Sequence, residues 1–132
     1  MSETSSPENP LALVIEDDAE QLYIFTEALR LAEFKTEAIQ DGQTALTRLS
    51  EIEPAIVVLD LHLPHASGKD ILRQVRASAR LAETRVILAT ADPATADMLQ
   101  QEADLVLIKP ISFIQLRDLA TRLRPPDVIQ PD

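Results

Sequence analysis

Six side chains in this sequence could together handle a phosphoryl group. Glu16, Asp17 and Asp18 follow the apolar run Leu11–Ile15, Asp60 follows Ala55–Leu59, Thr90 follows Val86–Ala89, and Lys109 follows Leu105–Ile108. Carboxylates brought close together repel, and an oxygen-liganded hard cation such as Mg2+ relieves that repulsion. A carboxylate beside such a metal can act as a nucleophile toward phosphorus. The metal, a lysine ammonium and a hydroxyl donor would then neutralise the phosphoryl oxygens. Two carboxylates, a backbone carbonyl and a phosphoryl oxygen suit the octahedral, partly hydrated shell that Mg2+ prefers. Taken one at a time, the same residues read more plainly. Asp18 reads as a helix N-cap, Asp60 and Thr90 as cap or turn residues, and Lys109 as a solvated cation. The chemistry depends on their meeting in space.

The elements between them say whether they meet. Leu11–Ile15, Ala55–Leu59, Val86–Ala89 and Leu105–Ile108 are short, continuous and rich in Val, Ile and Leu. Such runs suit strands buried on both faces of a parallel sheet. Lys35–Ile39 is more polar and belongs nearer an edge. The intervening stretches carry helical spacing: Leu22, Phe25 and Leu29 within Ala19–Ala32, then Ala45, Leu46 and Leu49, then Ile71, Leu72 and Val75. Ala94–Gln101 reads as a short fourth helix with Pro93 placed for its first turn, and Leu116, Leu119 and Leu123 mark a fifth. Five strands alternating with five helices define an α/β, doubly wound parallel sheet with right-handed crossovers and helices on both faces. Ligand chemistry in such a fold gathers at the carboxyl ends of the strands. Glu16, Asp17, Asp60, Thr90 and Lys109 all fall there.

Composition narrows the alternatives. The chain has 132 residues, which suits one domain with one real core. Twelve Lys plus Arg against 22 Asp plus Glu give a net charge of −10, which argues against general binding to nucleic acid or anionic membrane. The absence of cysteine excludes disulfides, thiolate chemistry and cysteine-liganded metals. With two glycines, neither a Rossmann fingerprint nor a Walker A loop is present. No apolar run approaches the roughly 20 residues needed to span a bilayer. The opening MSETSSPENP resembles neither a signal nor a transit peptide, so a cytoplasmic location is expected. Residues 1–10 read as a disordered arm, 11–124 as the folded domain, and 125–132 as a Pro-rich tail or linker.

The sequence resembles the receiver domain of two-component response regulators, from about Leu11 to Leu123. In LVIEDD, Glu16 and Asp17 resemble the family's acidic pair, and the resemblance makes Asp17 a direct metal ligand and Glu16 one acting mostly through water. VVLDLHLPHASG resembles the phosphoacceptor segment, with Asp60 as acceptor, the His62 backbone carbonyl as a further metal ligand, and Pro64 and Gly68 completing the pattern. VILATA places the switch hydroxyl on Thr90. LIKP places the phosphate-contacting lysine on Lys109, followed by a peptide bond to Pro110 that the family usually holds cis. The resemblance implies a flavodoxin-like (CheY-like) three-layer fold, Mg2+ as cofactor, and a sensor histidine kinase or histidine phosphotransfer protein as phosphodonor. It also implies a downstream protein partner or an output domain, and catalysis limited to the domain's own phosphorylation and dephosphorylation.

Several positions depart from the family pattern. Val106 occupies a position that is often aromatic, and is expected to be a buried strand residue. The stretch from Thr90 to Lys109 is short, Glu102 replaces a customary glycine, and Ile111 stands where an aromatic is common. The fourth helix should therefore be short or displaced. His62 and Asp92, each two residues beyond a site residue, should flank the path of an attacking water and set the dephosphorylation rate. Neither His62 nor His65 suits a hard-metal site through its imidazole. Two other functions fit the same topology. A receiver-like interaction module could signal without phosphorylation, and a flavodoxin-like cofactor binder or metal-dependent phosphohydrolase could share the architecture. The acidic pair with Asp60, Thr90 and Lys109 argues against the first. Few glycines and aromatics, and no second acid–base group near Asp60, argue against the second. Arg117, Arg122 and Arg124 put positive charge on the last helix, where two of them complement the helix dipole.

Overall fold

The computed structural model describes residues 9–126. The expected arm and tail fall mainly outside those residues. Five strands form one parallel sheet in the order β2-β1-β3-β4-β5: β1 (Leu11–Ile15), β2 (Lys35–Ile39), β3 (Ile56–Asp60), β4 (Arg85–Thr90) and β5 (Leu105–Ile108). The helices are α1 (Ala19–Leu31), α2 (Gly42–Leu49), α3 (Gly68–Ala77), α4 (Pro93–Leu99) and α5 (Phe113–Leu123), with a 3₁₀ turn at Ala79–Leu81 that the hydrophobic pattern does not announce. The strand order reverses between β1 and β3, which makes their carboxyl ends the switch point of the sheet.

Burial explains why the central strands are apolar throughout. Leu13, Ile15, Val57, Leu59, Val86 and Leu88 pack into one core with Ile71, Leu72 and Val75 of α3. Their alternating neighbours Ala12, Val14, Ile56, Val58 and Ile87 pack into a second core with Phe25, Ala28 and Leu29 of α1 and Leu116 of α5. Each fully buried Leu or Ile contributes roughly 1.5–3 kcal/mol relative to exposure. The polar run Lys35–Ile39 lies at one edge of the sheet, as its composition implies.

Each α-helix begins at a side-chain cap: Asp18 accepts from the Gln21 N–H, Asp41 from Thr44, Ser67 from Asp70, Asp92 from Ala94 and Ser112 from Gln115. These caps satisfy backbone donors that a helix cannot pair internally. Asp18 and Pro93 sit where the sequence places them.

Two expectations need correction. Leu105–Ile108 is not buried on both faces: β5 is the other edge strand, Val106 is only partly buried, and Ile108 is 43% exposed. Helix α4 stops at Leu99 rather than Gln101 and buries only Ala96 and Leu99. Seven residues are too few to cover the strand beside them. The loop that follows is instead drawn to α3, where Arg76 donates to the Glu102 carbonyl at 2.7 Å and to the Asp104 carboxylate at 3.0 Å.

Candidate functional site

The carboxyl ends of four strands bring the separated site residues together. Glu16 directly follows β1, and its backbone N–H bonds the Ile39 carbonyl at 3.0 Å. Asp60 is the last residue of β3 and pairs in register with Ala89 of β4. Thr90 closes β4 opposite Ile108. Lys109 follows β5, and its N–H bonds the Thr90 carbonyl at 2.8 Å. The Lys109–Pro110 peptide bond is cis. Glu16, Asp60 and Thr90 are buried, with exposures of 1%, 3% and 0%. Asp17 is exposed and opens the cluster to solvent.

The side chains converge on one ammonium. Lys109 Nζ lies 3.1 Å from Glu16 Oε1 and 3.4 Å from Asp60 Oδ1. Glu16 Oε2 accepts from the Asp18 N–H at 3.2 Å, and Asp60 Oδ1 from the His62 N–H at 3.2 Å. Thr90 Oγ1 accepts from the Asp92 N–H at 3.1 Å. Carboxylate oxygens of Glu16, Asp17 and Asp60 all lie within 4.8 Å of one another. An all-oxygen, triply anionic donor set fits a hard divalent cation such as Mg2+ and suits softer metals poorly.

Charge is under-compensated here. Burial pushes the Glu16 carboxyl up to about 7, helped by the Asp60 charge and opposed by the Asp18 N–H and Lys109. Burial works against the charge on Lys109. The hydrogen bond it donates to Glu16 and the charges of Asp60 and Glu16 outweigh it and hold the ammonium above the usual lysine range. A single lysine thus serves two buried carboxylates, and a further positive charge is favoured at this position.

His62 and Asp92 lie exposed beside the site, and their backbone N–H groups hold Asp60 and Thr90. The Asp92 carboxyl is held below its usual range by Thr95 and the Ala94 N–H, with His62 adding a smaller effect. His65 lies farther out, at φ 72°, with Nδ1 3.8 Å from Asp41 at the start of α2. Gly68 is required by proximity, because a Cβ there would sit 2.6 Å from Leu61 Cα and 2.7 Å from the Asp60 carbonyl oxygen. One supporting residue is not singled out by the sequence reading. Gln40, just past β2, donates to the Asp17 carbonyl at 3.3 Å. Its signal is its place at the same sheet edge as the other strand ends.

An acidic, lysine-bridged cluster at the switch point of a doubly wound five-stranded sheet defines a flavodoxin-like α/β domain with its candidate site at the strand ends. A family model described as a response regulator receiver domain matches residues 12–121, and the chain belongs to that family. It is 36% identical over 115 residues to the DNA-binding response regulator MtrA of Mycobacterium tuberculosis, covering 85% of this chain and 48% of that protein. The chain thus spans about half the length of the MtrA relatives it matches. The BeF3-activated receiver domain of DrrB, a Thermotoga maritima protein, superposes with a TM-score of 0.78 at 27% identity, covering 87% of this chain and 97% of that one. The chemotaxis response regulator CheY4 of Vibrio cholerae shares the fold, with a TM-score of 0.76 at 20% identity and coverage of 87% and 98%. Receiver domains are regulatory parts of two-component systems, interact with histidine kinases or phosphotransfer proteins, and use Mg2+ at an acidic pocket. Among the described residues, no helix is long and apolar enough to cross a membrane.

Proposed function

We propose that this chain is a phosphoacceptor in a two-component phosphorelay, with Asp60 receiving the phosphoryl group from a phosphohistidine of a sensor histidine kinase or histidine phosphotransfer protein. A carboxylate oxygen of Asp60 bonds to phosphorus while the phosphorus–nitrogen bond breaks, and the bonding pair leaves with the donor imidazole. The observation that carries this reading is Asp60 itself, 3% exposed and 3.4 Å from Lys109 Nζ, within an acidic cluster that Asp17 opens to solvent. Lys109 holds an oxygen of the transferred group, and the Thr90 hydroxyl turns toward it as a donor. Asp17, Asp60, the His62 backbone carbonyl and Glu16, the last mostly through water, would hold Mg2+. Bound Mg2+ supplies charge neutralisation of the phosphoryl oxygens.

Residues 11–124 form the receiver unit, and its catalysis is confined to its own phosphorylation and dephosphorylation. The phosphorylated surface acts on a downstream protein or an attached output domain rather than on nucleic acid directly. The chain's net charge of −10 supports that last point.

The test is intact mass of wild type and Asp60→Asn after exposure to acetyl phosphate, with and without Mg2+. One phosphoryl adduct that requires both Mg2+ and Asp60 is expected. Absence of an adduct, with no beryllofluoride complex forming either, would overturn the proposal and favour a module that signals without phosphorylation.

A further inference from the structure

The opposite end of the sheet carries a second concentration of charge, of the other sign. Four arginines, Arg80, Arg85, Arg122 and Arg124, line a cleft of about 690 Å³ at the amino ends of the strands. Among the described residues only two carboxylates, Glu53 and Glu83, share it, within a chain whose net charge is −10. Its volume lies in the usual range for small-molecule sites, roughly 300–1,000 Å³.

The four guanidinium groups are not equivalent. Arg80 donates to the Leu49 and Ile52 carbonyls, with Glu53 3.6 Å from its Nε. Arg124 donates to the Glu33 carbonyl and Asn9 Oδ1. These two contribute charge but few free donors. Arg85 has one pairing, to Asp104 Oδ1 at 3.1 Å, and its side chain is 55% exposed. Arg122 pairs with no described residue. The cleft therefore offers two guanidinium forks with open donors beside an apolar floor of Leu11, Ala55 and Leu123. Planar, bidentate guanidinium donors match phosphate oxygens, and the surrounding charge favours a dianion over a neutral ligand.

We propose that this cleft binds a phosphate-bearing small molecule of nucleotide size, with its phosphates on Arg122 and Arg85 and its apolar or planar part on Leu11, Ala55 and Leu123. The site stands apart from Asp60 and is independent of its phosphorylation.

The test is an amide NMR titration of the ¹⁵N-labelled full chain in EDTA with ATP, pyrophosphate and adenosine. Saturable ATP shifts are expected at Arg85, Arg122 and Leu123, weakening as salt rises. Arg122→Ala should weaken ATP binding about tenfold. Arg122→Lys should weaken it less, because the charge remains and the fork is lost. Glu83→Gln should tighten it by removing an unpaired like charge. Pyrophosphate should bind more weakly than ATP, and adenosine more weakly still. Shifts that fail to saturate, an Arg122→Ala affinity equal to wild type, or shifts centred on Asp17 and Lys109 would each overturn the site. Equal binding of pyrophosphate and ATP would overturn its nucleotide-sized character.

Discussion

Asp104 and Glu16 are both acidic residues at ends of the same sheet, yet their surroundings treat them in opposite ways. Asp104, at the amino end, accepts from the Val86 N–H at 2.7 Å, Arg76 at 3.0 Å and Arg85 at 3.1 Å. Burial pushes its carboxyl up, but those donors outweigh it and hold the group below the usual carboxylate range. Glu16, at the carboxyl end, shares one lysine with Asp60, and burial carries it up to about 7. The contrast separates two uses of a charge taken partly or wholly out of water. Where donors outnumber a carboxylate it braces the fold. Where carboxylates outnumber donors the fold carries an unfavourable charge that a cation or a phosphoryl group can relieve.

The most disruptive way to break the comparison is steric. Gly68→Ala would drive a methyl against the Asp60 carbonyl and Leu61 Cα. It should cost about 3 kcal/mol, read as a lowered urea midpoint, and slow phosphorylation by displacing Asp60. At the amino end, Asp104→Ala should cost about 2 kcal/mol, because it leaves the Val86 N–H without its acceptor and takes one charged partner each from Arg76 and Arg85. Removing an acid at the carboxyl end should do the reverse. Glu16→Gln in metal-free protein should gain about 1 kcal/mol at pH 8, and the gain should shrink or invert with Mg2+ present.

The pH dependence sharpens the same point. An unfolded glutamate titrates near 4.5, whereas folded Glu16 holds its proton up to about 7. The folded state therefore binds more protons between those values. This contribution is fully present below pH 4.5 and is lost as pH rises through 7, an effect of about 3 kcal/mol at most. Metal-free wild type should lose stability from pH 5 to 8 in a way that Glu16→Gln does not, as measured by urea unfolding at each pH. The smallest effects belong to the rim. His62→Ala and Asp92→Ala should change the decay rate of phosphorylated protein several-fold. His62→Ala should alter stability at pH 7 by no more than about 0.5 kcal/mol, whereas Asp92→Ala should also cost about 1 kcal/mol because it removes the cap of α4. A decay rate identical to wild type in both variants would assign them to the solvated surface.

Much of this arrangement is legible in the residue order, for a physical reason. β1, β3 and β4 are buried on both faces, so their sequences are continuously apolar and their ends are sharply marked by Glu16, Asp60 and Thr90. The convergence of those ends follows from the topology alone. β5 carries the same apolar signature but lies at an edge, because composition records what a strand tolerates rather than how many neighbours it has. The length of α4 is set by Arg76 holding Glu102 and Asp104, partners separated by 26 and 28 residues, and no local pattern encodes that contact. The close approach of Gly68 to Asp60 is visible only in three dimensions.

The contact between Arg124 Nη2 and Asn9 Oδ1, at 3.4 Å, has a practical meaning for engineering. It places the two boundaries of the described fold side by side, at the end of the sheet away from Asp60. A short peptide could join residue 124 back to residue 9, so the chain could be reopened at a surface loop as a circular permutant. Equally, a dye, bead or fused reporter attached at either boundary would leave the Asp60 cluster facing outward. The domain is thus laid out as a sensor element that can be mounted from behind.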